Sequence, residues 1–409
     1  MMENRSEAKV TPGKFLPALL VMALVGTIIE IDMSVPSFPD IARELGVSGA
    51  AVQLTITLNF LGYCLGALAY GPLSDRYGRR KMMLGGNVVM LLGALGCAVA
   101  TNMEFLLASR FVQGIGASTA VVLVFVIIGD VYEGMAAMKM YGVMNAAMSV
   151  LMTAAPPVGG FVNHAIGWRG NYFVVFAITA LSLLLMFFFL PETRTRALST
   201  ITVRSVLADY RKLVGSGAFV AASLVPSLLF AAYMVFIAAS SFIYTGTFGL
   251  TTTEFALNLL IIVASFAIPS MFATKLIPVL GGPAGTVRWS LGAVVVGVLA
   301  FLTLGTGAAA VTGSVAVFCV GFAVVYPVVF GRSMSVFPEL GGAASSVTMS
   351  ARALLVTLLT AISSAFFTGD PVVPAAVMAG AVVVVVLLSV VNGRAEKRAQ
   401  ARQPAPEAA

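Results

Sequence analysis

Charge is scarce in this sequence, and histidine and cysteine are scarcer. Charged residues make up 10% of the 409, against roughly 25% in a soluble domain. Hydrophobic residues make up 59%, so no single aqueous core could hide them. A water-soluble fold is excluded. One histidine, His164, and three cysteines, Cys64, Cys97 and Cys319, argue against a zinc or haem site. The cysteines lie within apolar runs without ligand spacing and imply no disulfide framework. No H-E-x-x-H and no nucleophile with a base is present, which argues against an intramembrane hydrolase. No G-x-x-x-x-G-K-[ST] loop is present either, so a proton gradient is the expected energy source. The expectation is therefore no enzyme, no metal and no cofactor.

What the chain has instead is long apolar runs. About 20 apolar residues cross a bilayer core as a helix. Twelve spans are predicted, near 15–36, 50–71, 82–101, 104–129, 138–162 and 171–190, then 216–241, 252–275, 288–307, 312–332, 343–367 and 373–393. The first run ends in Glu30 and Asp32 with no small-residue cleavage site, which favours an uncleaved helix over a signal peptide. The expected division is a tail 1–14, a six-helix bundle 15–190, a linker 191–215, a second six-helix bundle 216–393 and a tail 394–409. The linker holds a short amphipathic stretch, "VRSVLADYRKLV", suited to a helix along the membrane face.

With the N-terminus in the cytoplasm, only Arg43 and Arg169 of the 24 Lys and Arg fall outside, while Arg110 and Arg352 fall within spans. This positive-inside bias places both termini in the cytoplasm. It accounts for the net charge of +7 without a nucleic-acid partner. Composition alone admits a transporter, a channel or a membrane-embedded enzyme.

The stretch "GPLSDRYGRRK" at 71–81 is a polar cluster between two apolar runs. It closely matches the G-x-L-x-D-R-x-G-R-R/K loop between the second and third helices of the major facilitator superfamily. Gly71 lets two helices approach, and Gly78 permits a tight turn. Asp75 can accept from free N–H groups at a helix N-terminus, which the family places on the eleventh helix. Arg79 and Arg80 stay at the inner surface, where Asp130 or Glu133 could pair with them, and Arg76 is a further cation of the same loop. The resemblance narrows through "IDMSVPSFPDI" at 31–41, "ASRFVQGIGAS" at 108–118, "APPVGG" at 155–160 and "SSFIYTGTFGLTTTEFALN" at 240–258. These resemble the drug:proton antiporter group, Bcr/CflA-type. In the antiporter motif Pro156, Gly159 and Gly160 are kept, whereas Leu151 and Ala155 replace the usual glycines. The resemblance implies an all-α major facilitator fold, twelve helices in two six-helix bundles around a central cavity. It further implies a monomeric exporter of drug-like compounds in the bacterial inner membrane, exchanging substrate for protons.

Ionisable residues within a membrane are costly and are functional candidates. Asp32, near the outer end of the first span, is the expected proton carrier. Arg110 lies at similar depth in the fourth span. Glu30 is about 200° from Asp32 around a helix, so the two cannot share a face, and Glu30 is the second choice. A carboxylate that meets a cation in one conformation and loses it in another takes up and releases a proton. Polar residues at helical spacing are candidates for the substrate cavity: Asn59 and Tyr63, Gln113, Asn145 and Ser149, Tyr233 and Tyr244. Arg352, about nine residues into the eleventh span, is the least family-like charge. Either it pairs with a carboxylate from the first helix, or it leaves a cation that favours an anionic or zwitterionic substrate. The alternatives to drug export are proton-coupled movement of an anionic metabolite or siderophore, and a non-transporting sensor or channel.

Overall fold

The computed structural model describes residues 15–194, 203–337 and 340–400. Among these residues every regular element is a helix. In chain order the first half holds α1 (Leu16–Asp32), α2 (Phe38–Leu45), α3 (Gly49–Tyr77), α4 (Arg79–Ala98), α5 (Met103–Val131), α6 (Gly134–Ile166) and α7 (Trp168–Phe189). The amphipathic linker stretch forms α8 (Val203–Gly215). The second half holds α9 (Gly217–Ser241), α10 (Thr252–Val279), α11 (Gly282–Leu304), α12 (Ala308–Ser335), α13 (Gly341–Ala365) and α14 (Val372–Gln400). Among the described residues, eleven segments are long and apolar enough to cross a membrane. The 33-residue α6, packed against α1, α7 and α10, is the twelfth long helix.

Short polar residues begin these helices. Ser48 Oγ accepts from the Ala51 N–H at 3.2 Å, and Asn102 Oδ1 accepts from the Phe105 N–H at 2.8 Å. Thr251 and Glu254 form a reciprocal capping box on α10. Each satisfies donors that a helix start leaves free.

The first apolar run departs from expectation. It was expected to continue to residue 36, but α1 stops at Asp32 and a single 3-10 turn, Val35–Ser37, follows. Pro36 offers no backbone donor there. The chain then enters α2, a short outer helix that the pattern did not suggest. Its polar side is tied down by Asn163 Nδ2, which donates to Asp40 Oδ2 at 2.6 Å, and by Trp168 Nε1, which donates to Glu44 Oε2 at 2.7 Å. Arg169 pairs with the same Glu44. At the other end α14 runs to Gln400, into the stretch read as a tail. Residues 1–14, 195–202 and 401–409 of the expected tails and linker lie outside the described residues.

Helices α1 and α3–α7 pack on one another, as do α9–α12 and α14, and the halves meet through α3 with α13 and α6 with α10. The ends at the start of α3 and the end of α13 are in direct contact. Ser364 Oγ donates to the Ala50 carbonyl at 2.7 Å, and the Thr57 and Thr360 hydroxyls lie 2.9 Å apart. Phe242 packs on Phe38 and Phe367, with ring centroids 6.4 and 6.1 Å away. Toward the opposite end α8 crosses the seam, and Tyr210 donates to the Leu68 carbonyl at 3.0 Å.

Candidate functional site

Glu30 and Arg110 lie inside the first bundle, 2% and 0% exposed. Arg110 Nη1 is 3.6 Å from Glu30 Oε2 and donates to Gln113 Oε1 at 2.9 Å. Its guanidinium carbon is 5.5 Å from the Tyr172 ring centroid. Asn59 Nδ2 donates to both Glu30 oxygens at 3.4 Å and to the Arg110 carbonyl at 3.3 Å. Backbone proximity makes this cluster possible: a Cβ on Gly114 would run into the Asn59 carbonyl. Asn59 and Gln113 were expected in the substrate cavity. They instead hold the ion pair within the bundle, because close approach of α3 and α5 turns both inward.

Asp32 is also buried, 3% exposed, but on the other face of α1. The cation expected at its depth belongs to Glu30. Asp32 Oδ1 makes no hydrogen bond, and neither does the hydroxyl of Tyr233 on α9, which lies within electrostatic reach of Asp32. The 200° separation is therefore realised. Glu30 faces inward to its own bundle, and Asp32 faces the seam between bundles.

Arg352 on α13 has no carboxylate partner among the described residues. Its Nη1 donates to the Tyr326 hydroxyl at 3.1 Å, its guanidinium carbon sits 4.5 Å from the Phe230 ring centroid, and Tyr63 lies beside it. Of the two alternatives, a carboxylate from α1 or an uncompensated cation, the structure has the second, with a phenol and an aromatic face in contact. Arg352 Nε and the Tyr63 hydroxyl make no hydrogen bond. Around Arg352 runs a chain of rings from both bundles. Phe60 contacts Tyr63 and Phe230, and Phe230 contacts Tyr233, with centroids 6.1 to 6.4 Å apart. Tyr233 stacks on Phe266 at 6.4 Å, Phe266 meets Phe322 at 4.9 Å, and Phe322 meets Tyr326 at 5.6 Å. Sequence reasoning missed Phe60, Phe230, Phe266, Phe322 and Tyr326. Their one-turn spacing, 60 with 63, 230 with 233 and 322 with 326, was the available signal.

The motif at 71–81 builds a polar cluster where α3 ends and α4 begins. Arg79 Nε is 2.8 Å from Asp130 Oδ2, as expected, and Nη1 donates to Ser74 Oγ at 2.6 Å. Asp75 pairs with Arg79. Gly78 has φ of 100°, a left-handed conformation that favours glycine. A Cβ on Gly71 would lie 2.7 Å from Ser346 Oγ on α13, so the close approach is met. Asp75 was expected to accept from the start of α13. It pairs with Arg79 instead, and a cavity of about 160 Å³ lined by Gly71, Asp75, Tyr210, Gly342 and Ser346 lies between. Arg80 turns aside, donating to the Phe187 carbonyl at 2.6 Å, and Arg76 lies over the ring of Tyr77. Glu192 was not anticipated. It accepts from the backbone N–H of Arg79 at 2.9 Å and of Arg80 at 3.3 Å, capping α4 from the far end of α7. Tyr210, outside the spans, has its phenol pushed up to about 12, chiefly by burial.

In the antiporter motif, Pro156 and Pro157 lie inside a helix that continues past them. A Cβ on Gly159 would run into the Met33 carbonyl, and one on Gly160 would meet Ala256 Cβ at 3.2 Å. These glycines let α6 approach α10 and the turn after α1. Ser149 is buried, and Asn145 is exposed on α6. Tyr244 is fully buried in the second bundle, its hydroxyl 2.6 Å from that of Thr312. It lies in the π-turn Phe242–Thr247 that follows α9 and ties that turn to α12.

Two packed helical bundles with charges buried inside one and along the seam define the architecture of a membrane transporter. The family model of the Major Facilitator Superfamily matches residues 20–361, and the chain belongs to that superfamily. Its members are transporters rather than enzymes, and this is a multi-pass membrane protein of that type. Among curated relatives, a chloramphenicol resistance protein of Pseudomonas aeruginosa is 26% identical, covering 66% of this chain and 63% of its own. A bicyclomycin resistance protein homolog of Haemophilus influenzae is 30% identical, covering 60% of this chain and 63% of its own. The chain thus spans somewhat under two thirds of the length of these relatives. They are consistent with the drug:proton antiporter group. The human organic anion transporter MFSD10 shares the fold with TM-score 0.70 at 20% identity, over 94% of this chain and all of the other. A D-xylose–proton symporter does so with TM-score 0.72 at 17% identity, over 91% and 97%.

Proposed function

We propose that the chain is a proton-coupled exporter of small, drug-like molecules that works by alternating access in the bacterial inner membrane, with both termini cytoplasmic. The observation that supports it most is the placement of Asp32. This carboxylate is buried on the seam without a cation, one helix face away from the Glu30–Arg110 pair. Burying an isolated carboxylate as an anion is costly. In the proposed cycle Asp32 holds a proton while the seam is closed and gives it up when the seam opens to water. Substrate occupies the same seam in the alternate state, so proton and substrate exchange without a direct bond between them. Glu30, Arg110, Asn59 and Gln113 position α1 and adjust the field around it. The cluster of Asp75, Arg79 and Asp130 acts as the inner latch between states. The relatives named for chloramphenicol and bicyclomycin resistance make antibiotics the first compounds to examine.

The test uses purified protein in liposomes with an imposed pH gradient and a panel of chloramphenicol, bicyclomycin and simple aromatic acids and amines. Accumulation that requires the gradient and collapses with a protonophore supports the reading. Uptake that ignores the gradient, or conductance without saturation, would replace it with a facilitator or a channel.

A further inference from the structure

We propose that the ring of aromatic side chains around Arg352 is a binding site for a planar organic anion, an aryl carboxylate in its simplest form. The inference deepens the transport reading and rests on it only for the idea that a small molecule enters the seam.

Three other charges, Glu30, Asp32 and Arg110, are buried, while Arg352 is half-buried. Glu30 and Arg110 compensate each other inside the first bundle. Asp32 lies near Tyr233, one helical turn from Phe230 on α9. Arg352 lies over Phe230 itself. The seam therefore carries a guanidinium that meets neutral phenols, donating to Tyr326 and lying beside Tyr63, and that has no carboxylate partner among the described residues. Arginine remains a cation in any protein site, so this charge is permanent.

The geometry of Arg352 then selects the ligand. One face of the guanidinium is covered by Phe230, and Nη1 is used by Tyr326. Nε has no acceptor. A planar guanidinium presents its remaining N–H groups along its edge, the arrangement that a carboxylate meets with two parallel bonds. The surrounding rings of Phe60, Tyr63, Tyr233 and Tyr326 offer stacking and edge contacts to a planar apolar body. A lipophilic cation would meet repulsion from Arg352 at the same position, although the rings alone would attract it.

The probes are 2-naphthoate, its neutral isostere 2-naphthamide and the cation naphthylmethylammonium, titrated into the purified full-length protein in detergent by calorimetry. Wild type is expected to bind the naphthoate about tenfold or more tightly than the amide, the margin of a charge-assisted hydrogen bond. Arg352→Gln should bring that ratio close to one, and Arg352→Lys should keep part of it. Tyr326→Phe, which leaves the charge in place, should retain the preference. Equal binding of amide and carboxylate by the wild type overturns the site, as does tighter binding of the cation. So does a preference that survives Arg352→Gln. The wild-type ratio decides the matter by itself where the Gln variant fails to fold. Naphthoate preference without any gradient-driven flux would sink the transport reading and leave this site standing. Driven transport of neutral or cationic compounds with no such preference would do the reverse.

Discussion

The two bundles treat buried polarity in opposite ways. In the first, a carboxylate, a guanidinium and two amides bond to one another across α1, α3 and α5. In the second, one guanidinium is met by rings and a phenol. A compensated cluster in a low-dielectric interior is rigid and intolerant of losing a member. A cation resting on aromatic faces keeps free donors. The difference suggests a division of labour, with coupling built on the first bundle and recognition on the second.

Substitutions can break or sharpen that contrast. The largest effect is expected for Glu30→Gln, which strands Arg110 in a site where it cannot lose its charge. The loss should be about 3–5 kcal/mol, read as lowered thermal unfolding in detergent. Arg110→Gln should cost less, because Glu30 can relieve its own charge by taking a proton. Equal losses from the two would break the account of that pair. Next comes Gly159→Ala, whose methyl would press on the Met33 carbonyl and hinder closure of the outer end. About 1–3 kcal/mol of overpacking should appear as raised labelling of cysteines engineered at that end, the native three being buried, with Gly160→Ala clearly milder.

Arg79→Lys comes third. It keeps the charge but loses the fork shared by Asp130, Asp75 and Ser74, at about 1–3 kcal/mol for the charge-assisted bonds. Slower transport and greater inner-side cysteine labelling are expected, with ligand affinity little changed. The smallest effect belongs to the second bundle. Tyr244→Phe removes one hydroxyl bond to Thr312, costing about 1 kcal/mol by the same unfolding assay, with transport kept. A large loss there would show that the second bundle also depends on a polar network.

Much of the fold was legible because lipid leaves so few options. Apolar length gave the spans to within several residues, and the motif at 71–81 gave the inner cluster down to the Arg79–Asp130 pair. What could not be read was partnership across helices. Asn59, Gln113 and Tyr244 have the spacing of cavity residues, yet helix rotation turns all three to neighbours in their own bundles. Periodicity fixes which residues share a face and leaves open what that face meets. For the same reason Glu30 and Asp32 could be separated in angle, while the choice of which one meets Arg110 needed the packed structure. The aromatic chain was hidden in a sequence whose apolar positions all look alike, and Glu192 caps α4 from over a hundred residues away.

Asp32 is the proposed carrier of the transported proton. The most direct test of that role compares gradient-driven accumulation with substrate exchange in liposomes, using any panel compound that the wild type accumulates. Asp32→Asn is expected to abolish accumulation driven by the pH gradient, while exchange at equal pH continues near the wild-type rate. Full gradient-driven accumulation by Asp32→Asn would contradict the claim and shift the role to Glu30.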